Sequence, residues 1–265
     1  MKTFVIAEAG VNHNGQWELG LDLIDAAKRA GADAVKFQMF NSHRLWGDDR
    51  IQHLELSEDA LTAMHAHCRE VGIEFMCTPF GVPEVRFLAP MLRRVKVASG
   101  CLDRATLLEA IRETALPVIV STGMNNLTEI RHAMNTLGFG HPNAFRQHYT
   151  LLHCTSAYPC PLEQVNLAAM DTLRGYYGDR AAIGYSDHTD GITVALAAVA
   201  RGAEVIEKHL TLDRQAKGPD HKASIDPIAF ATMVGMIREV EAAIGQPEKV
   251  VQPAEAEVRK AWYGD

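Results

Sequence analysis

Two histidines, His188 and His209, have the residue type and spacing expected of a metal site. Each ends an apolar run, AAIGYSDHT (181–189) and AEVIEKHLT (203–211), and an Ala-rich helical stretch separates the two runs. That order predicts a βαβ unit with parallel strands. The spacing of roughly 20 residues fits one crossover helix plus one strand. Both imidazoles should then meet at the carboxyl edge of the sheet and bind one metal ion; the alternative is a pair of structural histidines.

The elements that would position these histidines recur along the whole chain. Continuous apolar character, without alternation, is typical of parallel strands that are covered on both faces. Helical patterns such as 17–31 and 103–115 fall between the apolar runs. The order predicts an α/β fold, a (β/α)8 TIM barrel, and 265 residues suit the roughly 250 that such a barrel takes. The strand candidates are 3–8, 33–38, 73–78, 94–99, 117–122, 149–154, 181–186 and 203–208.

Two segments lie outside this minimal plan. Residues 40–56 form a long polar connection after the second strand, and long loops in compact domains are commonly functional. After the last predicted helix, 226–245, the chain becomes polar and contains two prolines. We therefore assign residues 1–245 to the barrel domain and residues 246–265 to a C-terminal tail.

Composition excludes several function classes. A formal net charge of −7 provides no basic surface for nucleic acid. No stretch approaches the roughly 18 apolar residues of a membrane span, and the amino terminus lacks the pattern of a signal peptide. The five cysteines form no CxxC motif or repeated spacing, so a disulfide framework is not indicated and a reducing cytoplasm is expected.

Polar residues follow the other predicted strands, and in a barrel they would converge on one mouth. Two lysines among hydroxyl groups and glycine-flanked amides predict a phosphate site, since they combine charge with hydrogen-bond donors. The candidates for substrate binding are Lys36, Gln38, Thr78, Lys96, Ser99, Ser121, Ser156 and Ser186.

Glu8 is the strongest acid/base candidate. It ends the first apolar run, where burial should raise the pKa of a carboxyl group and neighbouring cations should lower it. The structural alternative is an ion pair with Lys36 or Lys96, and both interpretations can hold together. Glu8 is therefore a candidate catalytic residue.

These residues lie in motifs that occur in a fixed order: IAEAGVNHNG, VKFQ, CTPF, KVASG, STGM, LLHCTSAYP, GYSDHT, EKHLT and KGPDH. In this order the chain resembles the sialic acid synthase (N-acetylneuraminate synthase) family from about residue 3 to about residue 245. The resemblance implies a metal-dependent transferase that condenses phosphoenolpyruvate with an acylamino aldose, usually N-acetylmannosamine. The products are a 2-keto-3-deoxy sugar acid and phosphate. The metal is expected to be Mn²⁺, with Mg²⁺ or Co²⁺ as alternatives.

The resemblance also implies roles for individual residues. Glu8 corresponds to the catalytic carboxylate. Tyr158 and Asp220 fall at sugar-facing positions, which makes them candidate catalytic residues as well. His188 and His209 would be the metal ligands. The phosphoenolpyruvate contacts would fall on Lys36, Thr78, Lys96, Ser99 and Ser186.

The chain departs from the family pattern at the acceptor side. Cys101 stands where a glutamate that contacts the sugar is usual, and Ser156 stands where asparagine is usual. The family implies a homodimer and a C-terminal antifreeze-like domain, which is expected to be encoded elsewhere, truncated or naturally lacking.

Two alternatives stay open. A synthase acting on a phosphorylated sugar would need a second phosphate site, for which His43, Arg44 and Arg50 are available in the loop 40–56. A homologue that binds phosphoenolpyruvate or a sugar without turnover is the other alternative, although the presence of Glu8, His188 and His209 favours an enzyme.

Overall fold

A computed structural model describes residues 2–140 and 148–264, and the predicted (β/α)8 barrel is confirmed. Eight parallel strands pair in the order β3-β2-β1-β8-β7-β6-β5-β4. The two end strands, β3 and β4, pack against each other, so the sheet is nearly closed. The strands are β1 (Phe4–Gly10), β2 (Ala34–Met39), β3 (Glu74–Pro79), β4 (Val95–Val97), β5 (Val118–Ser121), β6 (Tyr149–His153), β7 (Ala182–Asp187) and β8 (Val205–His209).

Helices cover the outside of this sheet and bury one apolar face against it. In α3, for example, Leu61, Met64 and Cys68 recur at helical spacing and are buried. Ser57 caps the amino end of α3, and Gly72 ends it in the left-handed conformation. The helices are α1 (Trp17–Arg29), α2 (Ser42–Trp46), α3 (Glu58–Val71), α4 (Val82–Leu88), α5 (Ala105–Glu113), α6 (Leu127–Thr136), α7 (Ala169–Tyr177), α8 (Thr193–Ala200), α9 (Pro227–Ile244) and α10 (Ala256–Tyr263).

A separate apolar layer fills the barrel interior. Ile6, Ala34, Met76, Ile119, Leu152 and Val205 form this layer, with Phe4 packed against it. Side chains alternate between the two faces of a strand, so the residues two positions further along also point inward. Those positions include Glu8, Lys36, Thr78, Ser121 and Glu207. The apolar layer therefore forms the base on which a ring of polar side chains stands at the carboxyl edge.

The two segments outside the minimal plan contain more structure than their polar composition indicates. The connection 40–56 holds α2 and a short 3-10 turn, Gln52–Leu54. The tail holds α10, whose side chains are all exposed. Within residues 2–140 and 148–264, every helix is too short or too polar to cross a lipid bilayer.

Candidate active site

A cavity of about 490 Å³ opens at the carboxyl edge of the barrel. The candidate catalytic, substrate-binding and metal-binding residues predicted from the sequence all line it and so lie together. Their individual roles stay predictions. These residues are Glu8, Lys36, Gln38, Thr78, Lys96, Ser99, Ser121, Ser156, Tyr158, Ser186, His188, His209 and Asp220.

Lys36 is the centre of a buried charge cluster on the cavity floor. Its ammonium group forms an ion pair with Glu8 and lies 3.6 Å from a carboxylate oxygen of Glu207. It also donates a hydrogen bond to Thr78 Oγ1 at 3.1 Å. Gln38 Nε2 donates to the other oxygen of Glu8 at 3.0 Å. The structural alternative for Glu8, an ion pair with Lys36, therefore coexists with its place on the cavity wall.

Lys96 extends this cluster on the opposite side of the floor. Its ammonium group donates to Ser121 Oγ at 2.6 Å and lies 3.9 Å from Glu207 Oε1. Ser186 Oγ donates to that same carboxylate oxygen at 2.9 Å. Two buried cations, ringed by hydroxyl groups, give this floor the composition of an anion site.

Sequence reasoning missed Glu207, although a signal was present. Glu207 and His209 are two positions apart in β8, so they must point to the same face of the strand. Glu207 is 5% exposed and lines the cavity. Its place between Lys36 and Lys96 makes it the counter-charge of both lysines.

The pKa values of the two floor carboxyls are driven apart. Burial raises the pKa of Glu8 to about 7, against the attraction of Lys36, and the charge of Glu207 raises it further. Burial also disfavours ionised Glu207, but the attraction of Lys36 and Lys96 outweighs burial and holds the pKa of Glu207 below its usual range. Glu207 is therefore ionised at neutral pH, while Glu8 can exchange a proton.

The two histidines face each other, with their ring centroids 5.5 Å apart. His188 Nδ1 donates to the Thr155 carbonyl at 2.8 Å, which leaves Nε2 as the nitrogen with a free lone pair. Burial lowers the pKa of His188 to about 4 and also lowers the pKa of His209. Both rings are thus neutral near pH 7, the state in which imidazole binds metal ions.

The donor atoms fit an open metal site. His209 Nδ1 is buried without a hydrogen-bond partner and lies 3.8 Å from Asp220 Oδ2. Among the residues that the structure describes, no group of three or more His, Cys, Asp or Glu side chains is arranged to hold a metal ion. A cation bound by the two imidazoles would therefore take further ligands from solvent or substrate, as catalytic metal sites do.

Tyr158 closes the cavity over the histidines. Its ring centroid lies 4.1 Å from that of His188 and 5.8 Å from that of His209. The side chain remains 48% exposed at the mouth. Tyr158 can thus contact a ligand that enters above the imidazoles.

The loop 40–56 supplies an apolar wall that its polar composition conceals. Leu45, Trp46 and Ile51 line the cavity beside Phe40 and Leu54. Phe40, Leu54 and Val11 form a buried cluster, against which Leu45, Ile51 and Phe80 pack. Five apolar residues of this loop therefore face the cavity.

The three basic side chains of this loop that could form a second phosphate site each lie against a carboxylate. Arg50 Nε lies 2.8 and 2.9 Å from the two carboxylate oxygens of Asp48. Arg44 pairs with the buried Glu84, and His43 Nδ1 lies 3.7 Å from Asp49. Of the three groups proposed for a second phosphate site, Arg50 alone lines the cavity.

The two departures from the family pattern have different positions. Ser156 lines the cavity, as a substrate-binding residue must. Cys101 is 1% exposed and packs in the apolar core outside the barrel, so its thiol does not replace a sugar-contacting carboxylate. All five cysteines are free and buried.

A parallel barrel with ionisable groups gathered at its carboxyl edge is the architecture of the TIM-barrel synthases. The chain belongs to the NeuB family, whose sequence model matches residues 23–249.

Relatives whose names state the sugar acid that they make agree with this assignment. The chain is 40% identical to the N,N'-diacetyllegionaminic acid synthase of Legionella pneumophila, over 98% of this chain and 78% of the relative. It is 35% identical to human N-acetylneuraminate-9-phosphate synthase, over 95% of this chain and 74% of the relative. The crystal structure of an N-acetylneuraminic acid synthetase from Leptospira borgpetersenii, in complex with citrate, superposes with a TM-score of 0.90. That protein is 35% identical, and the match covers 99% of this chain and 93% of the other.

Proposed function

We propose that the protein condenses phosphoenolpyruvate with an unphosphorylated acylamino aldose, giving a 2-keto-3-deoxy sugar acid and phosphate in a reaction that depends on a divalent cation. The observation that carries this proposal is the floor cluster of Glu8, Lys36, Glu207 and Lys96 beneath two neutral histidines in a single cavity. Membership of the NeuB family supports the reaction class.

Phosphoenolpyruvate fits the cationic side of the floor. Its phosphate and carboxylate groups need several positive or hydrogen-bonding partners, and Lys36 and Lys96 stand among the hydroxyls of Thr78, Ser121 and Ser186. Since Glu207 already balances much of the lysine charge, we expect the dianionic phosphate group to compete with it for the two ammonium groups. Ser99 lines the same cavity, and its hydroxyl group could donate a further hydrogen bond to phosphoenolpyruvate.

The acceptor aldehyde would lie between this floor and the histidines. His188 and His209 would hold a divalent cation, Mn²⁺ by resemblance to the family, which supplies Lewis-acid polarisation of the aldehyde oxygen. C3 of phosphoenolpyruvate then forms a bond to the aldehyde carbon, and water adds at C2. The C2–oxygen bond to phosphate breaks as the keto group forms. Glu8, with a pKa of about 7, takes one proton from the attacking water. The aldehyde oxygen gains one proton as it becomes a hydroxyl group, and the second proton of the water leaves with phosphate as the keto group forms.

The loop wall favours an uncharged acceptor. Leu45, Trp46 and Ile51 offer apolar surface suited to N-acyl groups, whereas Arg50 is occupied by Asp48. The name of the Legionella relative describes an acylated product without phosphate, and that of the human relative describes a phosphorylated product. Because the basic side chains of the loop are paired and the wall is apolar, we propose an acceptor without phosphate for this chain.

The proposal also covers location and assembly. A cytoplasmic location follows from cysteine usage, and the five free thiols are compatible with it. A homodimer is proposed from the family resemblance.

A paired-acceptor assay tests the choice of substrate. Phosphate release from phosphoenolpyruvate would be measured with N-acetylmannosamine and with its 6-phosphate, each in the presence of Mn²⁺. We expect kcat/KM to be higher by about 10-fold or more for the unphosphorylated sugar, because the phosphate would meet an apolar wall without a free cation. A preference for the 6-phosphate would contradict the proposed acceptor class but not the reaction class.

A further inference from the structure

We propose that the ion pair between Asp187 and Lys208 is a positioning device that sets the separation of His188 and His209, and so determines metal affinity. This inference rests on the metal site proposed above. Asp187 directly precedes His188 at the end of β7, and Lys208 directly precedes His209 at the end of β8. The pair thus joins the two strand ends at the residues next to the proposed ligands.

The pair is completely buried and well formed. Lys208 Nζ lies 2.9 Å from Asp187 Oδ2, and both side chains are 0% exposed. The two residues are also direct partners in the register of the neighbouring strands. A buried ion pair has strict geometric requirements, because each unpaired charge would carry a large desolvation cost. It therefore resists sliding or splaying of the strands.

Further hydrogen bonds tie the chain beyond His188 to the same pair. Asp187 Oδ1 accepts from Thr189 N at 2.9 Å and from Thr189 Oγ1 at 2.7 Å. Lys208 Nζ donates to the Thr189 carbonyl at 2.6 Å. The residues on both sides of His188 are thereby bound to the residue that precedes His209.

The pair acts through the histidines and not on the substrate. Glu207 and His209 line the cavity, and Lys208 between them points to the opposite face of β8. Neither Asp187 nor Lys208 lines the cavity. Metal affinity is sensitive to displacements of a few tenths of an ångström in ligand position, so a device that fixes two strand ends has a direct effect on it.

The test is Mn²⁺ affinity without substrate, followed by electron paramagnetic resonance, in Asp187→Asn, Lys208→Met and the double variant Asp187→Leu/Lys208→Met. We expect about 10- to 100-fold weaker Mn²⁺ binding, the range for residues that orient metal ligands. Phosphoenolpyruvate binding, measured by calorimetry, should be unchanged because the lysine floor is untouched. The double variant should regain stability, since no buried charge is left unpaired, but should still bind Mn²⁺ weakly.

Two controls separate the possible failures. Glu74→Gln removes the partner of Arg94 at the start of β3, far from the histidines, and should leave Mn²⁺ affinity unchanged. His188→Ala should abolish Mn²⁺ binding; if it does not, the proposed metal site itself is wrong. If His188→Ala loses Mn²⁺ while Asp187→Asn keeps normal affinity, the positioning role is wrong. Recovery of Mn²⁺ affinity in parallel with stability in the double variant would also overturn it.

Discussion

Glu8 and Glu207 contact the same ammonium group, that of Lys36, from two neighbouring strands of the barrel. The two carboxyl groups differ in their other partners. Glu207 also attracts Lys96 and accepts a hydrogen bond from Ser186, whereas Glu8 accepts a hydrogen bond from the neutral Gln38. This asymmetry leaves Glu207 as a fixed negative charge and Glu8 as the carboxyl that can exchange a proton near neutral pH.

Replacing Glu8 tests the proton-transfer role. Glu8→Gln should lower kcat by about 100-fold or more, because the amide cannot accept the proton of the attacking water. Binding of phosphoenolpyruvate, measured by calorimetry, should persist, since Lys36 and Lys96 remain. Glu74→Gln, at the opposite end of the barrel, is the matched control and should keep normal turnover. Normal turnover of Glu8→Gln would remove Glu8 from the mechanism.

The pH dependence of the reaction follows from the raised pKa of Glu8. The ionised form is required to accept a proton, and its fraction grows as pH rises through about 7. We therefore expect kcat/KM to rise across that range. Gln38→Leu should move the rise to higher pH, because the lost hydrogen bond stabilises the ionised form of Glu8. An unshifted profile in this variant would assign the titration to another group.

The paired state of Arg50 predicts a gain of function. Asp48→Ala would free the Arg50 guanidinium at the cavity wall, where it could bind a phosphate group on the acceptor. The ratio of kcat/KM for the 6-phosphate over that for the free sugar should rise. Asp49→Ala is the control, since it releases only His43, which does not line the cavity. Equal ratios in the two variants would show that Arg50 cannot reach the acceptor.

Buried neutral histidines predict a loss of stability in acid. Burial lowers the pKa of His13 to about 4, whereas in the unfolded chain it takes the ordinary value. Between these two values the unfolded chain binds more protons, so the free energy of unfolding should fall as pH falls from about 6.5 to about 4.

His13→Asn isolates the share of this one residue. The slope of the free energy of unfolding against pH, measured by urea unfolding at several pH values, should be smaller in this variant by up to about 1.4 kcal/mol per pH unit. His132→Asn, on the exposed face of α6, is the control and should leave the slope unchanged. A wild-type slope in His13→Asn would mean that His13 is not held neutral in the fold.

The barrel and the place of its site could be predicted from the sequence because both follow from local rules. Strands covered on two faces need continuous apolar runs, and the carboxyl ends of parallel strands must meet at one edge. Glu8, Lys36, His188 and His209 therefore had to converge if the runs were strands, and they line one cavity.

The other features of the site depend on the direction in which each side chain points, which the composition of a segment does not show. The loop 40–56 is polar on average, but most of its apolar residues face the cavity, and its two arginines pair with Asp48 and Glu84. Lys208 belongs to the residues at the carboxyl edge, yet strand alternation turns it away from the cavity into the pair with Asp187. Glu207 could have been found by applying the same alternation to β8.

The most direct test of the proposed condensation is the coupling between phosphate release and the acceptor sugar. Purified protein would be given phosphoenolpyruvate and Mn²⁺, with and without N-acetylmannosamine or a diacetamido analogue, and both phosphate and the keto sugar acid would be quantified. We predict that phosphate appears only with the sugar and the cation, in equal amounts with the product. Phosphate release that is independent of the sugar, or binding of phosphoenolpyruvate without release under any condition, would contradict the proposed function.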